Sequence, residues 1–219
     1  MKTVLLTGAS GGLGLALSKK LLEQGYFVYL HYHHSKKALE TLHNKYPDYS
    51  KLIQADFACE EDLLRIKAQI DKPLDILINN AAIEHLGPLE EKTMTTMHQI
   101  FQINTVAPFL LMKQFASEIE KREGSIINIS SDNTIDQYDE VTLEYDVSKA
   151  GLNQLSKSFA RIYPKAKINA VCFGWLDTPM NDFSEDIKKD LPFIPLDKAV
   201  SQIITYIKTN ETGKVDVYR

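Results

Sequence analysis

Short apolar runs alternate with amphipathic stretches along the whole chain. Val4-Leu5-Leu6 is the first run, and helical spacing follows over residues 13–24 with Gly25 placed as a helix stop. Residues 26–32 are rich in aromatic and β-forming side chains and predict a strand. Ser35 can cap a helix running to about Tyr46, and Leu52-Ile53 sits in a third strand. A helix over 60–70 keeps Leu63, Leu64, Ile66 and Ile70 mostly on one side, and 74–78 reads as a buried strand. One long helix is predicted over 93–121, then a strand over 125–129, a helix over 141–163, a strand over 167–173, a helix over 197–208 and a last strand over 214–218. Such alternation implies right-handed βαβ units, hence an α/β doubly wound parallel sheet of about seven strands with helices on both faces. The whole of 1–219 reads as a single domain, with its ligand expected beyond the carboxyl ends of the strands.

Composition narrows the functional classes. The 219 residues carry 29 acids against 25 Lys and Arg, a formal charge of −4, so nothing in the charge balance favours nucleic acid or an anionic membrane. Two distant cysteines, Cys59 and Cys172, make neither a disulfide framework nor a metal site, and no metal is expected. No apolar run reaches the roughly 18 residues of a membrane span, and residues 3–6 are too few for a signal-peptide core. A cytoplasmic protein is the expectation.

The chemistry begins at Thr7-Gly8-Ala9-Ser10-Gly11-Gly12-Leu13-Gly14, between the first strand and the first helix. The N–H groups that open a helix lack internal partners, the helix dipole favours an anion there, and glycines let a phosphate approach the backbone. Farther along, Tyr145 and Lys149 lie one helical turn apart on one face. A nearby ammonium favours the tyrosinate, so Lys149 is expected to lower the phenol pKa of Tyr145 towards usefulness in acid–base catalysis.

The spacing T-G-x-x-x-G-x-G at Thr7, Gly8, Gly12 and Gly14 resembles that of the short-chain dehydrogenase/reductase family, whose members have a Rossmann fold, and the resemblance extends to about Val215. Tyr145-Asp146-Val147-Ser148-Lys149 resembles its Y-x-x-S-K, Ile129-Ser130-Ser131 its I-S-S, and Phe101-Gln102-Ile103-Asn104 the segment with its active-site asparagine. The resemblance implies that Ser131 holds a substrate carbonyl oxygen and Tyr145 protonates it. Lys149 binds the nicotinamide ribose, and Asn104 supports a water leading to Lys149. Fourteen positions separate Ser131 from Tyr145 where the family has thirteen, which leaves Ser130 open as the catalytic hydroxyl.

The resemblance also implies a dinucleotide site. Ser10 and Leu13 belong to the phosphate turn, and Asp56 with Phe57 to the adenine pocket. Asn80, Ala81 and Ala82 (in place of the family's glycine) flank the ribose, and Gly174, Leu176 and Thr178 meet the nicotinamide end. Residues 25–39 contain no acid, and Tyr32 stands about where the NAD-type carboxylate would lie. His33, His34, Ser35 and Lys36 can donate to a 2′-phosphate, so NADP is expected, with NADPH preferred over NADH.

The implied activity is reduction of a small-molecule carbonyl, or the reverse. A ketoreductase acting on carrier-bound 3-oxoacyl groups, a pteridine-type reductase and a non-catalytic NADP-binding sensor remain as alternatives. A homodimer or homotetramer is implied, with Phe101, Leu110, Phe115, Leu152, Leu155 and Phe159 open as interface or core. Glu84, His85 and Trp175 are candidates for the mouth of the site. A short lid is expected between Met180 and Leu196. The six acids between Asp132 and Asp146 either form a solvated acidic loop or repel acidic substrates.

Overall fold

The computed structural model describes residues 1–136, 140–178, 180 and 192–219. Residues 181–191 of the lid expected between Met180 and Leu196, and 137–139 in the acidic stretch, lie outside the described residues. The strands are β1 (Thr3–Leu6), β2 (Phe27–Tyr32), β3 (Ser50–Gln54), β4 (Ile76–Asn79), β5 (Ser125–Ser131), β6 (Lys167–Phe173) and β7 (Val215–Tyr218). They form one all-parallel sheet in the order β3-β2-β1-β4-β5-β6-β7. The order reverses between β1 and β4, which opens a crevice at their carboxyl ends.

Helices α1 (Gly12–Glu23), α2 (Lys37–Lys45) and α3 (Glu60–Gln69) follow β1, β2 and β3, and α4 (Met94–Phe101) and α5 (Ala107–Lys121) follow β4. The short α6 (Asn133–Asp136) and the long α7 (Leu143–Ile162) join β5 to β6, and α8 (Leu196–Lys208) leads to β7. Alternate strand residues feed two cores. Val4, Leu6, Leu30 and Ile78 pack with α1, α2 and α8, while Leu5, Tyr29, Leu77 and Ile126 pack with α3, α5 and α7. Burial on both faces explains why the strands read as continuous apolar runs. Of the six residues left open between interface and core, Phe115, Leu152 and Phe159 are buried, whereas Phe101, Leu110 and Leu155 are only partly covered.

The single long helix expected over 93–121 is not uniform. Between α4 and α5 the chain widens into a π-helical turn, Gln102–Val106. Pro108 lacks the N–H that would bond the carbonyl of Asn104 in an α-helix, so the regular ladder fails at that residue. The wider turn holds Asn104, wholly buried, at its centre.

Candidate active site

The glycine turn is shaped by close approach. Gly8 has φ +62°, and a Cβ on it would lie 2.8 Å from the Cα of Ala81. A Cβ on Gly14 would lie 2.1 Å from the carbonyl oxygen of Gly8. No side chain caps α1, and its first residues Gly12, Leu13 and Gly14 line a cavity of about 670 Å³ together with Gly8 and Ser10. Uncapped N–H groups at a helix start, brought to a glycine-rich cavity wall, suit a diphosphate. Thr7 does not line this cavity. Its hydroxyl accepts from the N–H groups of Asn80 (2.9 Å) and Ala81 (3.0 Å), while Asn80 Nδ2 donates to the carbonyls of Thr7 (2.9 Å) and Gly8 (3.1 Å). The ends of β1 and β4 are thus tied across the switch point. Asn80, Ala81 and Ala82 line the cavity with Asp56, Phe57, Gly174, Leu176 and Thr178.

Tyr32 requires correction. It does not line the cavity but is buried in the core shared with α1 and α2. Side chains alternate along β2, so Val28, Leu30 and Tyr32 share one face and His31 takes the other. His31 is the residue that sequence reasoning missed. It is buried against the cavity, its Nδ1 accepts from the Gly8 N–H (3.1 Å), its Nε2 meets the Ala55 carbonyl (3.1 Å), and its ring stacks on Phe57 at 4.2 Å. That pairing demands a neutral imidazole protonated on Nε2, and burial pushes its pKa down to about 4. The folded pKa lies below the unfolded value near 6.5, so this contribution to stability is complete above about pH 6.5 and is lost as pH falls through about 4. We expect His31→Gln, which retains an acceptor and a donor, to lose about 3 kcal/mol less than the wild type on acidification from pH 7 to 4. Denaturant unfolding across that range checks this; parallel losses would refute it.

His33, His34 and Ser35 line the cavity. A second recess shares Ser10, His34 and Ser35 and adds Lys36, Lys37 and Thr41. His33 Nε2 stands 3.6 Å from Asp56 Oδ2, and the rings of His33 and His34 lie 3.5 Å apart.

At the opposite wall stand Ser130, Ser131, Tyr145 and Lys149. Lys149 is almost wholly buried, its Nζ donates to the Ile129 carbonyl at 2.8 Å and sits 5.5 Å from the centre of the Tyr145 ring. Burial pushes the lysine down to about 8. The phenol of Tyr145 is pushed up, first by burial, then by the carboxylates of Glu84, Asp146 and Asp132. The expected lowering by Lys149 is therefore reversed in this state. Asn104 stands behind the cavity wall. Its Oδ1 accepts from Ile83 N (2.9 Å), and its Nδ2 donates to the Ile83 carbonyl (2.8 Å) and Ser148 Oγ (3.0 Å). Ser131 Oγ accepts from the Asn133 N–H (3.3 Å), while the Ser130 hydroxyl is turned to the Lys149 carbonyl (3.4 Å).

A serine, a tyrosine and a lysine thus face a glycine turn across one cavity, and the family model for short chain dehydrogenase matches residues 2–188. The chain belongs to the short-chain dehydrogenase family. This dehydrogenase is 31% identical to nodulation protein G of Rhizobium sp. (strain N33), over 98% of the present chain and 92% of that protein. It is 28% identical to an uncharacterized oxidoreductase of Bacillus subtilis (strain 168), over 87% and 84% of the two chains. Its fold matches the structure of a blue fluorescent protein from a metagenomic library in complex with NADPH. That match has a TM-score of 0.90 at 24% identity and covers 99% and 95% of the chains. The protein is accordingly an oxidoreductase with a Rossmann-like nucleotide-binding fold. No helix among the described residues is long and apolar enough to cross a membrane.

Three of the six acids around this dehydrogenase's tyrosine are bonded within the fold, whereas Glu140 is exposed. Asp132 is buried and receives Arg219 Nε at 3.1 Å. Asp146 accepts from Asn133 Nδ2 (2.9 Å) and the Thr142 hydroxyl (2.7 Å). Glu144, wholly buried, accepts from the Thr96 hydroxyl (2.5 Å) and meets His85 Nδ1 (3.3 Å) and Lys92 Nζ (3.7 Å). Lys92 Nζ also donates to the carbonyls of His85 (2.7 Å) and Val141 (2.8 Å). His85 therefore does not line the cavity but anchors the loop after β4 to α7; Glu84 and Trp175 do line it. No sequence motif marks this cluster, since its members come from separate segments.

Proposed function

We propose that this short-chain dehydrogenase reduces a carbonyl of a small molecule to an alcohol, with NADPH preferred over NADH. The observation that carries the reading is the meeting of Ser131, Tyr145 and Lys149 at one wall of the cavity whose other end is the glycine turn. Ser131 accepts the Asn133 N–H, which orients its hydroxyl while its own hydrogen remains available to a carbonyl oxygen. A buried phenol with a raised pKa keeps its proton until that oxygen gains charge, which suits Tyr145 as general acid in the reductive direction. Lys149, held by Ile129, retains N–H groups for the ribose, and Asn104 fixes the Ile83 backbone and Ser148 behind it.

The dinucleotide, when bound, supplies the hydride. Gly8, Ser10, Gly12, Leu13 and Gly14 would hold its diphosphate; Asp56 and Phe57 the adenine; Asn80, Ala81 and Ala82 the adenosine ribose; and Gly174, Leu176 and Thr178 the nicotinamide end. His33, His34 and Ser35, with Lys36 in the adjoining recess, favour a 2′-phosphate over a bare ribose. The same reading places the protein in the cytoplasm. It forms a homodimer or homotetramer through the exposed Val106, Phe109 and Val147.

The test is initial-rate oxidation of NADPH and NADH with neutral ketones and aldehydes. A KM for NADPH at least roughly tenfold below that for NADH is expected from one charge-assisted phosphate contact, and equal values would overturn the preference. Reductive turnover should fall as pH rises through about 8, where the Lys149 ammonium loses its charge. A rate unchanged from pH 7 to 9.5 would remove Lys149 from this role.

A further inference from the structure

We propose that Glu84 selects substrates carrying a protonated amine, which its carboxylate binds inside the cavity that holds Tyr145. The inference rests on the carbonyl-reductase reading above and names the substrate class of that site.

Glu84 is a built feature of the cavity wall. The residues on either side of it are pinned: Ile83 by both amide atoms of Asn104, at 2.9 and 2.8 Å, and His85 by the wholly buried Glu144, at 3.3 Å. Lys92 closes the loop behind it by donating to the His85 carbonyl at 2.7 Å. The position of Glu84 is thus dictated by three residues: Asn104 of the π-helical turn, Glu144 of α7 and Lys92 of its own loop.

Its carboxylate nevertheless has no hydrogen bond or ion pair among the described residues, although it is partly buried and lines the cavity. The neighbouring acids differ. Asp132 is met by Arg219, Asp146 by Asn133 and Thr142, and Glu144 by Thr96, His85 and Lys92. The buried lysines of this end are also engaged, Lys92 with two carbonyls and Lys149 with Ile129. Burial and repulsion from Asp146 both push the Glu84 pKa up, so the charge is held where it is costly, with no counter-ion among the described residues. An ammonium group on the substrate relieves both effects, and a carboxylate on the substrate aggravates them.

Steady-state reduction of 4-aminocyclohexanone, cyclohexanone and 4-oxocyclohexanecarboxylate tests this at pH 7. The ratio of kcat/KM for the amine over the neutral ketone should be roughly tenfold to a hundredfold, the range of a charge-assisted hydrogen bond, with the keto acid poorest. Glu84→Gln should bring that ratio to about one. A wild-type ratio near one, or a ratio untouched by Glu84→Gln, overturns the proposal. If no ketone is reduced, the carbonyl-reductase reading fails, and cyclohexylammonium titrated into the NADP-loaded protein against cyclohexanol decides the role of Glu84. Preferential ammonium binding that is lost in Glu84→Gln upholds it, and equal binding overturns it. The oxidised nicotinamide is itself a cation. If Glu84→Gln changes the ratio of NADP⁺ to NADPH dissociation constants and leaves the substrate ratio alone, the charge serves the cofactor and the proposal is wrong.

Discussion

Tyr145→Phe should lower kcat for carbonyl reduction by about 10²- to 10⁴-fold, the range of a well-placed acid–base group. Phenylalanine keeps the ring beside Lys149 and deletes only the hydroxyl that would deliver the proton. Two of the acids around it are already engaged. Asp132 is paired with Arg219, and Asp146 is held by Asn133 and Thr142. NADPH affinity should stay within about threefold, because the glycine turn and the histidines stand at the far end of the cavity. Single-turnover rates with a fluorescence titration of NADPH separate the two quantities. A variant that still turns over at the wild-type rate would show that the proton comes from elsewhere, and one that loses NADPH affinity in step with rate would make Tyr145 a cofactor anchor.

The second large effect concerns packing. Gly14→Ala places a methyl carbon 2.1 Å from the carbonyl oxygen of Gly8, and the neighbours that would have to yield are backbone atoms. Gly8 in turn is locked at positive φ against Ala81 and is bonded to His31 and Asn80, so the turn has nowhere to retreat. The expected destabilisation is on the order of 3 kcal/mol, the upper end for an overpacked core site, because no rotamer change relieves it. For a chain of this length that is a fall in Tm of roughly 6–12 °C. NADPH binding should be lost even at temperatures where the variant stays folded, since the first turn of α1 would no longer present its N–H groups to the cavity. Thermal unfolding and NADPH titration on the same sample check both parts. A variant with wild-type Tm and affinity would mean that the start of α1 can shift bodily.

The alternation of strands and helices followed from hydrophobic period, and every predicted strand is present. The long helix over 93–121 was legible except for its π-helical turn. Pro108 was visible, but its consequence depends on the four-residue reach of the helix ladder back to Asn104. Tyr32 was misplaced by aligning it with a motif position, when the period of two along β2 already put it on the face opposite His31. The acidic stretch left a solvated loop and a repelling wall both open, because sequence neighbours say nothing about burial. Glu144 owes its place in the interior to Thr96, His85 and Lys92, some fifty residues earlier in the chain.

The sequence by itself determined what is local: the order of elements, the glycine-rich entry to the first helix, and a tyrosine and lysine one turn apart on one face. Those depend on backbone geometry over a few residues, which side-chain type and spacing specify directly. Only the tertiary structure decided the direction of the Tyr145 shift, the support of Gly8 by His31, and the place of Glu84 in the cavity wall. Each of these depends on burial and on charges brought from distant segments. Electrostatic energies are set by distance and by exclusion of water, neither of which is written in the order of residues along the chain.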